Sequence, residues 1–360
     1  MGFQLHGCCA IFFLFLHAPS TTLITVVAAP YDDRNHTRQP TWHNFSKFLD
    51  ISKGSHVTGM SELKKYFHHF GYLSCPQTSF KFTDVFDETL ESAVVLYQKI
   101  LGLPVTGILD TETLNQIMLP RCGVRDGIRE SHDGVETKFQ ATEMKRFAYF
   151  DGEPRWEKMT PITLTYAFSE DHMIEYLSID LIRDVFERAF SRWSAVIPLN
   201  FTEADDYWSA DVRIGFYRGN HGDGEPFDGV LGVLAHAFSP ENGRLHLDEA
   251  ETWAVDFETE KSKVAVDLES VATHEVGHVL GLAHSSIKEA VMYPSLSPRT
   301  KKLELRMDDI EGVQALYGSN PDFKKDSWPA SDTSDCSPVD QIGSLWWKIL
   351  MVVIWFRLWL

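Results

Sequence analysis

The residues most able to do chemistry are clustered in one run: His274-Glu275-Val276-Gly277-His278-Val279-Leu280-Gly281-Leu282-Ala283-His284. On a helix, His274 and His278 stand four apart on one face and can share one zinc ion. Glu275 lies beside them with a carboxylate free to act as a base on water at the metal. Gly281 can take a positive φ, so the chain can leave the helix and swing His284 back as a third ligand. Three protein ligands leave a fourth position open, the arrangement of a catalytic zinc. The plainer reading, a helix with three ordinary histidines, does not account for their joint spacing with the acid and the glycine. No Gly-x-Ser-x-Gly elbow occurs, so serine nucleophile chemistry is disfavoured.

Met292, in Val291-Met292-Tyr293-Pro294, follows where a turn can support the ligands from beneath. The histidine run with such a turn is similar to the metzincin signature. Within that clan, residues 84–318 resemble the matrix metalloproteinases, and the layout looks like that of the short plant-type members without a hemopexin domain. The resemblance rests on two further stretches. One is Pro120-Arg121-Cys122-Gly123-Val124-Arg125-Asp126, similar to the family's cysteine-switch motif. It implies that the Cys122 thiolate fills the open zinc position in a latent precursor, with Arg121 and Asp126 paired to hold the loop. A thiolate is a good zinc ligand and displaces the water the enzyme needs. Arg125 stands where many members carry Pro. The other stretch runs from His221 to Glu251. Matched residue by residue, His221, Asp223, His236 and His246 align with structural zinc ligands. Asp228, Asp248 and Glu251 align with a calcium site completed by the backbone carbonyls of Gly229, Leu231 and Val233; all-oxygen ligation by a Gly-containing loop suits calcium. Arg244 replaces an acidic calcium ligand, which leaves further calcium sites, including any using Asp211, open.

The resemblance implies an α+β fold: a twisted, mostly parallel five-stranded sheet with three helices, preceded by a small helical pro-domain. It also implies peptide hydrolysis, with zinc and calcium as cofactors and extracellular proteins or peptides as substrates. Glu275 would take a proton from water and return it to the leaving amine. Tissue or cell-wall inhibitors are further partners. A substrate strand could add to the segment from Gly232 to His236. Leu296 stands where relatives often have Tyr in the specificity pocket, and Asp308 or Asp309 is expected to pair with the mature N-terminal ammonium.

The residues themselves supply elements to position this chemistry. Leu90, Val94, Val95 and Ile100 recur at helical spacing, and Asp110 can cap a helix through Leu114 and Met118. Residues 123–145 lose that periodicity and read as an exposed connector, with Lys145-Arg146 as a processing site. Residues 162–168 alternate like a strand. Ser178 then opens a helix with Ile182, Val185, Phe186, Ala189 and Trp193 on one face. Strand-like runs recur at 199–202, 211–217, 230–238 and 244–248. Two helices follow, one around 267–281 and one capped by Asp308 or Asp309. Strands followed by segregated helices also indicate an α+β domain.

The chain has 360 residues and a formal charge of −18, which argues against a nucleic-acid partner. Residues 1–29 resemble a secretory signal, although a basic first region is missing. Residues 30–146 read as a propeptide, 147–318 as the catalytic domain and 319–344 as a linker. Residues 345–360 form an apolar tail carrying Lys348 and Arg357. At about 1.5 Å per residue it reaches about 24 Å, short of a roughly 30 Å hydrocarbon core. A glycolipid-anchor signal therefore fits better than a transmembrane or packed helix, and places the protein on the extracellular side of the plasma membrane. Asn35, Asn44 and Asn200 begin glycosylation sequons, consistent with secretion. Of the five cysteines, Cys8 and Cys9 leave with the signal, and the pairing of Cys75 and Cys336 stays open. Rival readings are a cell-wall polysaccharide-binding protein, because residues 84–118 are similar to peptidoglycan-binding helical domains, a catalytically inactive metal scaffold, and a zinc enzyme acting on small molecules.

Overall fold

A computed structural model describes residues 41–74, 81–126, 147–159 and 161–325. Asn35, Cys75, Cys336, Lys145-Arg146, the signal and the apolar tail lie outside them. Among the described residues no helix is long and apolar enough to cross a membrane.

The N-terminal part is a bundle of a 3-10 helix (Thr41–Phe48, which contains Asn44) and helices α1 (Met60–His69), α2 (Glu88–Ile100) and α3 (Thr111–Ile117). Asp87 and Asp110 cap α2 and α3, their carboxylates accepting from the N–H groups of Leu90 (3.0 Å) and Thr113 (2.8 Å). Helix α1 adds to the elements expected from the sequence. Its buried Met60, Leu63, Tyr66 and Phe67 fall on one face. Phe227, Val233 and Tyr293, from well beyond the bundle, complete the same apolar core. The bundle is therefore packed onto the region that carries the histidines.

That region holds strands β2 (Ile162–Phe168), β3 (Leu199–Glu203), β4 (Val212–Tyr217), β5 (Val233–Ala237) and β6 (Arg244–Asp248). They lie in the order β5-β6-β4-β2-β3; β5 runs antiparallel to β6 and the other neighbours are parallel. Three helices accompany them, α4 (Ile179–Ser194), α5 (Leu268–Val279) and α6 (Met307–Tyr317), together with a small β7 (Trp253–Ala254) and β8 (Val266–Asp267) pair. The fold is α+β. A sixth strand extends the main sheet: β1 (Arg121–Cys122) runs parallel along the outer edge of β5. The edge expected to receive a substrate is thus covered by the cysteine segment.

Ser178 caps α4, whose Ile182, Val185, Phe186, Ala189 and Trp193 are buried as their spacing predicts. Trp193 donates its indole N–H to the Thr273 carbonyl at 2.9 Å, which ties α4 to α5. Every residue of α5 is buried, so this helix is enclosed on all sides. Its cap is Asp267, which accepts from the Ser270 N–H at 2.9 Å. Helix α6 starts differently from the expectation. Its cap position is Arg306, and Asp309 reaches back to accept the Arg306 N–H at 2.8 Å. The other Asp309 bonds are from the N–H groups of Val291 (2.9 Å) and Met292 (3.0 Å), so this buried carboxylate fastens the turn at Met292.

That turn lies directly under α5. A β-carbon added at Gly277 would fall 2.2 Å from Met292 Sδ and 3.0 Å from the Trp193 ring. Gly277→Ala should therefore displace Met292 and cost about 1–3 kcal/mol by overpacking. Thermal unfolding checks this, and an unchanged melting temperature would remove the close-contact account. Gly281, at φ +103°, passes so near the Pro154 carbonyl that a side chain there would collide with it.

Candidate metal centre

Helix α5 presents His274 and His278 on one face, and the turn at Gly281 brings His284 back to them. Their Nε2 atoms approach to 3.1 Å (His278–His274) and 3.2 Å (His278–His284), and Cys122 Sγ lies 3.3 Å from His278 Nε2. All four donors are buried and lie within 4.8 Å of one another. The opposite ring nitrogens reveal the protonation pattern. His274 Nδ1 faces the Val291 carbonyl and His278 Nδ1 the Leu282 carbonyl, each at 2.7 Å. A carbonyl can only accept, so these nitrogens carry the protons and the Nε2 lone pairs point at one another. His284 Nδ1 donates to Asp126 Oδ1 at 2.6 Å, with the same result. Converging lone pairs repel unless a cation lies among them. Burial, reinforced by the neighbouring imidazoles, lowers the pKa of His274 and His278 and keeps them neutral, the form a metal needs.

Glu275 is fully buried, and neither carboxylate oxygen finds a hydrogen bond of ordinary geometry. Burial pushes its pKa up to about 8, against a weaker pull from the Cys122 thiol. Burial, then the Glu275 charge, raises the Cys122 thiol well above its usual range. A nearby cation would reverse both shifts.

Cys122 is held from two sides. Backbone bonds run from Cys122 N to the Pro294 carbonyl (2.9 Å) and from Gly123 N to the Ala235 carbonyl (2.8 Å). The Arg121 and Asp126 side chains, both without exposure, pair at 2.8 Å. Arg121 lies 3.7 Å over the Phe70 ring, and Tyr72 donates to Asp126 at 2.5 Å. These aromatic partners were not singled out from the sequence, where they read as ordinary core residues. Arg125 reaches the His68 carbonyl at 3.3 Å.

A second group gathers from residues 2 to 25 positions apart in sequence. Asp223 Oδ2 lies 2.8 Å from His221 Nε2, His236 Nε2 and His246 Nδ1 alike. Burial opposes ionisation of Asp223, but the Glu225 N–H and the His236 ring outweigh it and hold the carboxyl low. Burial lowers His236 to about 4 and His246 to about 3. Nearby, the N–H groups of Val233, Gly229 and Leu231 donate to Asp228 (2.7 Å), Asp248 (3.2 Å) and Glu251 (2.6 Å) respectively. Glu251 Oε2 is buried with no partner. Burial raises these carboxyls to about 6 (Asp228), 7 (Asp248) and 9 (Glu251), and mutual repulsion adds to the last two. Leu231 and Gly229 both sit at positive φ, so the loop is bent sharply around the carboxylates. Arg244 stacks on Phe238, and Asp211 is taken up by Lys158 and Thr165.

Comparison with known proteins decides the family. The matrixin profile matches residues 155–318, and that of a peptidoglycan binding domain matches residues 57–117. Metalloendoproteinase 1-MMP of Arabidopsis thaliana is 56% identical over 300 residues, covering 83% of this chain and 80% of its own. Metalloendoproteinase 2-MMP of the same plant is 43% identical, covering 96% and 93%. Metalloendoproteinase 1 of Glycine max is 45% identical, covering 76% and 87%.

The chain is a matrixin. As such it is a metalloendopeptidase that uses zinc and calcium. The donor chemistry of this matrixin fits both: imidazole and thiol groups suit zinc, and the unpartnered Glu251 oxygen beside two further buried carboxylates suits a hard cation. Asn200 lies on β3 with its side chain exposed, as a glycan acceptor requires.

Proposed function

We propose that this matrixin is a secreted precursor whose catalytic zinc is held by His274, His278 and His284 and blocked by Cys122. The observation that carries the reading is the convergence of three imidazole lone pairs on one point beside the Cys122 sulfur. When bound, zinc supplies a Lewis acid that polarises a peptide carbonyl and acidifies water. Glu275 then holds the proton taken from water at its carboxylate and passes it to the departing amine. In the blocked form burial favours the protonated state of Glu275, the state it must also reach midway through the reaction. The edge of β5 binds the extended substrate through main-chain bonds once the segment at β1 has left.

His221, Asp223, His236 and His246 hold a structural zinc, a closed set of four. Asp228, Asp248 and Glu251 hold calcium with the carbonyls of Gly229, Leu231 and Val233. The substrates are extracellular proteins, and the protein is held at the cell surface by a C-terminal lipid anchor. Gelatin or casein cleavage by the processed protein, run beside a pull-down on wall polysaccharide, tests the activity. Mass spectrometry of the mature termini tests processing and anchoring; an intact apolar tail would overturn the anchor.

Calcium removal gives a signed expectation. The three carboxyls are raised in the folded chain above their unfolded values, so the folded state holds more protons as pH rises. With zinc present and calcium withheld, stability should therefore fall between about pH 5 and pH 8. Adding calcium should flatten that slope. Melting temperatures at several pH values decide it: an equal calcium effect at both ends would reject these ligands.

A further inference from the structure

The three imidazoles differ in what holds them from behind. His274 and His278 are held by the carbonyls of Val291 and Leu282, which belong to the same region as the ligands. The partner of His284 is a carboxylate from far upstream: Asp126 Oδ1 accepts from Nδ1 at 2.6 Å across 158 residues of sequence. The same carboxylate receives Arg121 at 2.8 Å and the Tyr72 hydroxyl at 2.5 Å, and its side chain has no exposure. It is thus ionised, desolvated and aimed at the rear of one ligand.

The geometry points to a second role for Asp126: it is a positioning residue that supplies the outer carboxylate of the third zinc ligand, and processing takes it away. This rests on the zinc reading of His274, His278 and His284. A carboxylate behind a metal-bound imidazole fixes its tautomer and raises its basicity, and losing such a partner weakens metal binding by about 10–100-fold. The pro-segment therefore acts twice on one site. Cys122 fills the open position, while Asp126 strengthens the hold of His284 from behind. When residues through Asp126 depart, the first two imidazoles keep their carbonyl partners and the third turns to water. The latent form retains its metal more firmly than the mature one for a reason separate from sulfur.

The test separates the two effects in full-length precursor carrying Glu275→Gln, which prevents self-processing, and Cys122→Ala, which removes the sulfur. Zinc release to a chelating chromophore is followed with and without Asp126→Asn. Release from the catalytic site should quicken by about 10-fold or more in the Asn variant, reaching the rate of the processed protein. Arg121→Gln serves as the control, since it removes the charged partner of Asp126 and leaves the His284 and Tyr72 bonds. It should change release by less than about threefold. Equal acceleration by both substitutions would mean that loop docking alone matters, and unchanged release in the Asn variant would reject the role outright; either result overturns the inference. The zinc reading fails in a different way, if His284→Ala in the same precursor leaves the bound zinc count unaltered.

Discussion

Processed protein carrying Glu275→Gln should retain its full zinc complement and cleave a peptide substrate about 10²–10⁴-fold more slowly. The substitution keeps the shape of the side chain and removes its ability to take a proton. Zinc content should hold because the substitution leaves all three imidazoles in place, and His274 and His278 keep the carbonyl partners of their Nδ1 atoms. Folding should hold as well: both Glu275 oxygens lack hydrogen-bond partners, so no internal bond is lost. Removing the Cys122 segment opens this site to water, so a neutral amide of the same shape should leave the melting temperature unchanged or slightly higher. That combination, lower activity with unchanged or higher stability, separates a catalytic acid from a structural one. Elemental analysis, a fluorogenic peptide assay and thermal unfolding supply the three readings. Activity within tenfold of the parent would remove Glu275 from the mechanism.

The chemistry of this chain is more legible in its sequence than the way it is held. The histidine run can be read because ligand spacing on a helix is a local property. Helix α5 itself has no polar face, since it is buried all round, so periodicity says little about it. The strand at β1 is two residues long and exists because it pairs with β5, a partner more than a hundred positions away. No local pattern announces such a strand. The true start of the 230–238 run is similarly hidden: positive φ at Gly229 and Leu231 delays β5 until Val233, because the loop must bend around Asp228, Asp248 and Glu251. Phe70, Tyr72 and Tyr66 look like core aromatics in sequence and acquire meaning only through the buried Arg121 guanidinium among them. The start of α6 follows the same lesson: Arg306 takes the cap position, and Asp309 both accepts its N–H and fastens the distant turn at Met292.

Cys122→Ala should release activity from the unprocessed precursor, and the size of the release measures how much of the latency is due to sulfur. Four-ligand zinc sites are worth about 10–16 kcal/mol, so one ligand contributes roughly 3 kcal/mol. At about 1.4 kcal/mol per decade, losing it should raise the open population about 100-fold. The segment does not leave entirely, because Arg121 N still bonds the Gly232 carbonyl (3.0 Å) and Leu296 N the Pro120 carbonyl (3.1 Å). The Arg121–Asp126 pair also remains, desolvated on both sides. Activity should therefore rise from near zero to a fraction of that of the processed enzyme, and the variant should process itself on standing. Fluorogenic assay of freshly purified precursor, with its length verified by mass, reads the first; N-terminal sequencing over time reads the second. Full-length Cys122→Ala protein that binds zinc yet stays as silent as the parent would mean that the strand laid along β5 is the block, and that the sulfur contributes nothing measurable to latency.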